Sequence, residues 1–401
     1  MAEKIISPGV FTNEIDQTFL PSAVADIGAA LIGPTLKGPA GVPTVVTSYN
    51  DFQAKFGDVV KSGSTSVQFL TSHAAEEYLK NSNTLTVVRI MADGGGAVAP
   101  ASTIITASST GEGAYVSSSF SLETLADGSI MNNAATTSTK NNILKSGSKH
   151  NIRYEVSNVS NAKGTFTVSI RAGNDNHKRK QILESYTGVN LDPNSPNYIA
   201  KAIGDQKQNV GTDGTTKYLQ LSGSYSNKSR YVRVKSVIQP TLDYLDENGT
   251  IRVNTLSSSL PAAGSGSFNG GFSGGSDGHS GFDALGNQNG DRGATAVHFY
   301  EDITNTNSQG FDPTAAADGL NSYTEALDLL ANQDEYDVNL ILLPGIIHNL
   351  HSTVSNKAID VCEDRGDCFA IIDPVVYAKN PSHAVTQAES VDSNFAAMYY
   401  P

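Results

Sequence analysis

The last third of the chain has the clearest pattern of apolar and polar positions. Apolar residues at helical spacing begin it: Leu320, Tyr323, Leu327 and Leu330. Two continuous apolar runs follow, 338–343 and 369–372, each as long as a buried strand. Helical spacing over 347–362 separates them. A helix, strand, helix, strand order with short links predicts a parallel sheet with right-handed crossovers.

The first part of the chain repeats this pattern. The run Gly28 to Gly33 predicts a buried strand, and Asn50 to Phe56 a short helix. Helical spacing resumes through residue 80, and Leu85 to Ile90 predicts another buried strand. We therefore expect an α/β plus β fold. Its parallel-sheet core is built from the N-terminal region and the last third, with inserted β-rich outer lobes.

The middle of the chain is less regular. Residues 93–150 are dominated by Ala, Ser and Thr, so we expect a small exposed lobe or long loops that contribute little core. Strand patterns occur at 152–156, 165–170 and 231–238. Eight glycines among the eighteen residues 264–281 predict a flexible connector.

These patterns divide the chain into five parts. They are an extended arm (1–21), the first part of the core (22–92), a variable outer β lobe (93–180), a second β-rich insert ending in the glycine-rich connector (181–283), and the second part of the core (284–401).

The arm holds the one candidate site for contact between subunits. Its central residues are Pro8, Gly9, Val10, Phe11 and Ile15. A lone extended segment is not stable alone and must pair with a sheet edge. The residues leave two alternatives open: the arm folds back on its own domain, or it adds a strand to a neighbouring subunit.

Charge and cysteine usage exclude several classes. The 40 acidic residues outnumber the 27 basic ones and give a net charge of −13, which argues against direct nucleic-acid binding. The basic run 177–180 is interpreted as a solvated loop. Two cysteines, Cys362 and Cys368, favour folding in a reducing cytoplasm. No secretory signal and no apolar run of ~20 residues is present, so we expect no membrane insertion.

Motifs that resemble catalytic sites have stronger structural explanations. Ser273 lies in a Gly-x-Ser-x-Gly match, but both flanks are loop rather than the strand and helix that a nucleophile elbow needs. Asp373 ends a predicted strand without an assignable second carboxylate or base, so an acidic turn is expected. A serine hydrolase using Ser273 remains a remote alternative.

Motifs that resemble metal sites are equally weak. His348 and His351 lack a third ligand, and we interpret them as helix-surface residues. Cys362 and Cys368 lack zinc-knuckle spacing; the first is expected in the core and the second at a strand start. The run 287–291 lacks the ligand order and distal Glu of a calcium loop. We therefore predict no catalytic residue, no metal and no cofactor.

Three stretches together resemble the tail sheath proteins of contractile bacteriophages, especially the T4-like group. The first begins with Ser7-Pro8-Gly9-Val10 and continues through Ala29 to Gly33, Lys37-Gly38-Pro39 and Leu85 to Arg89. The second is the glycine connector, 269–278. The third runs from Asn339 through Pro344-Gly345 and Phe369 to Pro374, and then from Ala396 to Pro401. Their order and spacing cover most of the chain outside residues 93–265.

The resemblance implies a function. Family members form hexameric rings that stack helically around a tail tube, bounded by baseplate and tail terminator proteins. Terminal arms add strands to neighbouring sheets, and contraction drives the tube through the host envelope. The expected location is the virion tail, after assembly in the host cytoplasm. A close alternative is the sheath of a phage-derived secretion or pyocin-type machine.

The family also continues past a Tyr-Tyr-Pro-like segment into a further region. Residues 398–401 form an apolar, strand-like end, and domains seldom end inside a core strand. We therefore expect residues beyond Pro401 in the natural protein.

Overall fold

The computed structural model describes most of the chain after the predicted arm. The described residues are 28–62, 65–91, 97–110, 116–133, 137, 141–214, 216–252, 256–278, 281–282, 288–289 and 303–400. The arm residues Pro8, Gly9, Val10, Phe11 and Ile15 lie outside them, so their role stays a prediction. Asn287 and Asp291 of the calcium-like run also lie outside.

Strands dominate the described residues. In chain order they are β1 (Gly28–Gly33), β2 (Thr44–Val46), β3 (Val60–Ser62), β4 (Thr65–Val67), β5 (Leu85–Arg89), β6 (Val98–Thr106), β7 (Ser118–Asp127), β8 (Ile152–Ser160), β9 (Thr165–Ala172), β10 (Ile182–Val189), β11 (Lys207–Asp213), β12 (Thr216–Ser222), β13 (Val232–Val237), β14 (Ser276–Asp277), β15 (Gly281–Phe282), β16 (Gln288–Asn289), β17 (Val338–Ile347), β18 (Phe369–Asp373) and β19 (Ala396–Met398). The helices are α1 (Tyr49–Phe56), α2 (Leu70–Tyr78), α3 (Ile199–Ile203), α4 (Leu256–Ser259), α5 (Asn321–Leu330), α6 (Ser352–Arg365) and α7 (Pro381–Glu389).

A six-stranded sheet forms the α/β part of the molecule. Its strand order is β19-β18-β17-β1-β5-β2. Four neighbouring pairs are parallel, and β2 alone is antiparallel, to β5. The prediction of a mixed α/β fold is confirmed. The sheet itself is mixed rather than purely parallel. The short link after β1 leads into β2, which runs in the opposite direction at the edge of the sheet, beside β5.

Alternation along β1 gives the sheet two covered faces. Ala30 and Ile32 pack in one cluster with α5 and α6, whereas Ala29 and Leu31 pack in another with α1 and α2. Successive strand residues point to opposite faces, so a continuous apolar run is required where helices cover both. Every residue of β1 is buried accordingly. The result is a three-layer arrangement of helices, sheet and helices.

The middle of the chain contributes the largest hydrophobic cluster, contrary to expectation. β6 and β7 supply fully buried residues such as Ile105 and Phe120, and Phe120 stacks on Phe166 of β9 with ring centroids 5.6 Å apart. The prediction that residues 93–150 contribute little core is therefore wrong. Ile105, Phe120 and Leu122 lie on the inner face of β6 and β7, which is enough to build a core.

The glycine-rich segment is also folded rather than a flexible connector. It runs along β8, where Tyr154 N donates to Gly270 O at 3.0 Å and Val156 N donates to Ser265 O at 2.8 Å. A Cβ at Gly266 or Gly270 would lie 2.3 or 2.0 Å from the Tyr154 carbonyl oxygen. Glycine is therefore required here for close approach of two backbones.

Smaller differences concern where elements begin and end. β17 continues through Pro344 and Gly345 to Ile347, beyond the apolar run 338–343 from which the strand was predicted. The prolyl residue is tolerated because the register of β17 against β18 shifts between Leu342 and Ile347. The domain boundaries themselves stay predictions.

Arg89, at the end of β5, joins the sheet to the outer lobe. Its buried guanidinium donates to the carbonyl oxygens of Gly38 at 2.7 Å, Asp127 at 2.9 Å and Thr35 at 3.2 Å. Ala40 N donates to the Asp127 carboxylate at 2.8 Å. Burial lowers the pKa of Arg89, while Asp277 and Asp127 oppose that shift. One side chain thus satisfies carbonyl groups from both parts of the molecule.

Replacing Arg89 by leucine should destabilise the fold strongly. Arg89→Leu removes a buried guanidinium that donates to the carbonyl groups of Thr35, Gly38 and Asp127, and Gly38 O alone keeps a second donor, Asp127 N at 3.0 Å. We therefore expect a loss of about 3 kcal/mol in the free energy of unfolding. Urea titration followed by circular dichroism measures it. Lys80→Ala, which removes an exposed pair with Glu77, is the control and should change stability by less than about 1 kcal/mol. Equal stabilities of the two variants would contradict this role of Arg89.

Candidate functional site

The backbone edge of β19, here called the outer edge, is the candidate site for contact between molecules. β19 pairs in parallel with β18 through Ala370 and Ala396, and Ala370 N donates to Phe395 O at 2.9 Å. Within the described part of the chain, no further strand lies beyond β19. Because residues along a strand alternate in direction, the N–H and C=O groups of Ala396 and Met398 point away from β18. They form a short row open to another strand.

The side chains around the outer edge are unusually exposed for apolar residues. Tyr399, the residue after β19, is 65% exposed. Tyr400 Oη donates to Lys379 O, and nearby in the chain Tyr377 is 66% exposed. Ala396 and Met398 are half-buried against the sheet cluster. Single exposed apolar residues are common, but several beside an unpaired edge are typical of an interaction surface.

The opposite edge of the sheet is protected. β2 is three residues long, and Lys55 Nζ of α1 donates to Val45 O at 2.8 Å. A lysine that occupies a backbone carbonyl group of an edge strand hinders pairing with a further strand. Sequence reasoning missed this contact because nothing in the spacing of Val45 and Lys55 indicates it.

Ser273 does not lie on a nucleophile elbow. It forms an antiparallel bridge with Ser102 of β6. Ser273 N donates to Ser102 O at 3.0 Å, and Ser102 N donates to Ser273 O at 2.8 Å. Its backbone is therefore extended where an elbow requires a sharp strand-to-helix turn. Among the described residues, no histidine or carboxylate contacts the Ser273 hydroxyl. The extended backbone at Ser273 therefore does not match the nucleophile elbow that the motif suggested.

His348 and His351 are buried, so the prediction of helix-surface histidines is wrong. His351 Nδ1 accepts from Ile347 N at 3.2 Å, which places the proton on Nε2 for donation to Thr304 O at 2.9 Å. His348 Nδ1 lies 2.9 Å from Ser355 Oγ. Burial lowers the pKa of both histidines. Within the described ranges, no group of three metal-ligating side chains is found.

The two cysteines lie together in the core, as expected for Cys362, and Cys368 directly precedes β18. Both are free thiols, and their Sγ atoms are 3.1 Å apart. The hydrogen bond between them raises the pKa of Cys362 and lowers the pKa of Cys368. One thiol of this pair therefore ionises more readily than the other.

The remaining sequence candidates have structural roles. Asp373 ends β18, and its carbonyl oxygen accepts from His348 N at 2.8 Å. In the basic run 177–180, Lys180 pairs with Glu155 at 2.6 Å and His177 stacks on Phe268 with centroids 4.1 Å apart. None of the helices in the described ranges is long and apolar enough to cross a membrane.

Comparisons with known proteins give a limited result. No family model and no curated protein matches the chain. Among solved structures, the chain is similar to a sheath tail protein from Desulfitobacterium hafniense, with a TM-score of 0.38 and 15% identity over 98% of this chain. It is also similar to a sheath tail protein from Listeria innocua, with a TM-score of 0.38 and 10% identity over 91% of this chain. The chain spans 56% of the length of each. At these scores the likeness carries no argument about function.

The tautomer of His351 predicts that the folded protein loses stability in acid. The unfolded chain takes up a proton near pH 6.5, whereas the folded chain resists it, so stability should fall as the pH drops below about 6.5. His351→Asn keeps an acceptor for Ile347 N and should reduce this slope by up to about 1.4 kcal/mol per pH unit. Urea titrations between pH 8 and 5 measure the slope.

A substitution without a titrating group is the control for that experiment. Leu350→Ala removes half-buried packing next to His351 and should lower stability by the same amount at every pH. An unchanged slope in His351→Asn would show that His351 does not cause the acid sensitivity.

The cysteine pair predicts a reversible crosslink. A disulfide has an S–S length of about 2.05 Å, so the two Sγ atoms must approach by about 1 Å. Treating the native protein with a diazene such as diamide should oxidise the two thiols to a disulfide and reduce the diazene to a hydrazine. Intact mass spectrometry should show a loss of about 2 Da. Cys362→Ala should show no such loss, and crosslinking only after denaturation would contradict the prediction.

Proposed function

We propose that this chain is a structural subunit of a contractile tail sheath. It polymerises around a tail tube, and its contraction drives that tube through a host envelope. Six subunits form each ring, and the rings stack helically between baseplate and tail terminator proteins. No chemical step is required of the subunit itself, since the stored free energy lies in the contacts between subunits.

The ordered sequence similarities support this proposal. The opening Ser7-Pro8-Gly9 arm, the glycine-rich segment 269–278 and the runs from Asn339 to Pro401 follow the order found in contractile-phage sheath proteins. The net charge of −13 and the extended backbone at Ser273 are in keeping with a structural role.

The single structural observation behind the proposal is the open outer edge. Four outward backbone groups, two on Ala396 and two on Met398, are placed to accept a strand of another chain. Each new hydrogen bond contributes about 1 kcal/mol, so the edge alone is too short for stable assembly. Apolar packing on Tyr399 and Tyr377 would have to supply the remainder.

The arm is long enough to reach the sheet of a neighbouring subunit. Residues 1–21, fully extended, span about 70 Å. The chain enters the sheet at β1, in its centre, and β1 runs parallel to β18. β1 and β18 therefore begin at the same end of the sheet. A strand from one molecule would then complete the sheet of the next, and rigid subunits could rotate while their main-chain contacts persist.

Electron microscopy of the purified full-length protein tests the assembly. We expect rings or tubes from the unaltered protein, and a folded subunit that does not polymerise after deletion of residues 1–20. Normal tubes from the deletion variant would contradict the role of the arm. Mass spectrometry of co-purifying proteins distinguishes a phage tail from a secretion or pyocin-type machine.

A matched pair of substitutions tests the outer edge separately. Ala396→Pro removes one outward N–H at the first residue of β19, where proline is tolerated, and should reduce polymerisation at least about tenfold without unfolding the subunit. Ala396→Ser keeps the N–H and should assemble like the unaltered protein. Sedimentation velocity measures both, and equal assembly would exclude β19 as the receiving strand.

A further inference from the structure

A cavity of about 600 Å³ opens between the α/β part of the molecule and the outer lobe. One wall is the segment after β1, with Lys37 and Val42, and another is β7 with Leu125. Lys149 and His150, just before β8, lie on the same cavity. Its size is within the range of small-molecule sites, about 300–1,000 Å³.

The charge of the lining is opposite to that of the whole chain. Six lysine and arginine residues line the cavity against three acidic residues, although the chain carries −13. A concave site with walls of low dielectric constant concentrates the field of such groups. The cavity therefore favours anions even though the protein as a whole repels them.

The three acidic residues are already engaged. Glu123 pairs with Arg233, and with Lys235 at 3.4 Å. Asp58 accepts from Gln53 Nε2 at 2.8 Å, and Asp127 accepts from Ala40 N at 2.8 Å. Glu123 is thus neutralised by ion pairs, and the oxygen atoms of Asp58 and Asp127 are held by hydrogen bonds within the protein.

Four of the basic side chains are not engaged. In the described ranges, the charged groups of Lys37, Lys149, Lys207 and Arg230 have no hydrogen-bond or ion-pair partner. Lys37 is only partly accessible. Charges that are buried are ordinarily paired, because desolvation without a partner is costly.

The electrostatic environment of Lys37 agrees with this geometry. Burial, and then repulsion from Lys149, lowers the pKa of Lys37 to about 8. Burial, followed by repulsion from Lys37 and Lys149, lowers the pKa of His150 to about 4, with Asp58 opposing the shift. The His150 ring lies 3.2 Å from Val59 O, which takes its Nε2 proton. An anion placed between the two lysines would relieve their mutual repulsion.

We propose that this cavity binds a small polyanion bearing phosphate or carboxylate groups, held between Lys37 and Lys149. Val42, Leu125 and the aromatic ring of Tyr231 also line the cavity and suit the carbon skeleton of an organic anion. This site is independent of the proposed sheath function and of the outer edge, and its test does not involve polymerisation.

Thermal unfolding of the full-length protein tests the site, with pyrophosphate and citrate as probes at constant ionic strength. We expect a saturable rise in Tm of at least about 2 °C at hundredfold excess over Kd. The rise should diminish above pH 8, where Lys37 loses its charge. Sodium chloride at the same ionic strength should give no saturable rise.

Two variants inside the cavity and one outside it make the test specific. Lys37→Met removes a costly charge but keeps the stem, so it should raise Tm without anion and abolish the effect of anion. Lys149→Gln, at an exposed position, should weaken anion binding about tenfold by calorimetry. Lys178→Gln, on an exposed turn outside the cavity, should bind like the unaltered protein.

Three results would overturn the proposal. The first is no rise in Tm with either anion. The second is a rise that both cavity variants retain in full. The third is stabilisation by a Glu-rich peptide but not by pyrophosphate or citrate, which would identify a protein segment as the occupant instead.

Discussion

The parallel pairing of β1 with β17 is the contact on which the rest of the structure depends. It joins Ala29 to Leu340 and Leu31 to Leu342, residues about 310 positions apart in the chain. Closing a loop of 300 residues rather than 30 costs only about 2 kcal/mol more, because the entropy grows with the logarithm of length. Burial of β1 on both faces offsets that cost, so the intervening lobe can be large without opening the sheet.

The same pairing also links the six-stranded sheet to the outer lobe. β1 fixes β5 on its other side, and β5 ends at Arg89, whose guanidinium bonds to carbonyl groups of the α/β part and of β7. Any displacement of the outer lobe must therefore strain a buried, charge-assisted set of hydrogen bonds. A joint of this kind would suit the rigid subunit of the proposed sheath, because it ties the lobe to the sheet.

Where sequence reasoning failed, local composition concealed tertiary packing. Residues 93–150 look unable to form a core, yet Phe120 stacks on Phe166 because strand alternation places Ile105 and Phe120 on the same inner face. The glycines of 264–278 look like a flexible linker, yet Gly266 and Gly270 are what allow the segment to lie against β8. His351 looks like a surface residue, since nothing nearby in sequence reveals that Thr304 will cover it.

The sequence by itself determined the buried strands β1, β5, β17 and β18 and the helices α1, α5 and α6 beside them. These depend on periodicity and on neighbours in the chain, which a sequence displays directly. Only the tertiary structure decided that Lys55 contacts the edge strand β2, that no strand of the described residues lies beyond β19, and that Lys37 and Lys149 line one cavity. These features arise from contacts between residues far apart in sequence, and no local pattern encodes which distant groups will meet.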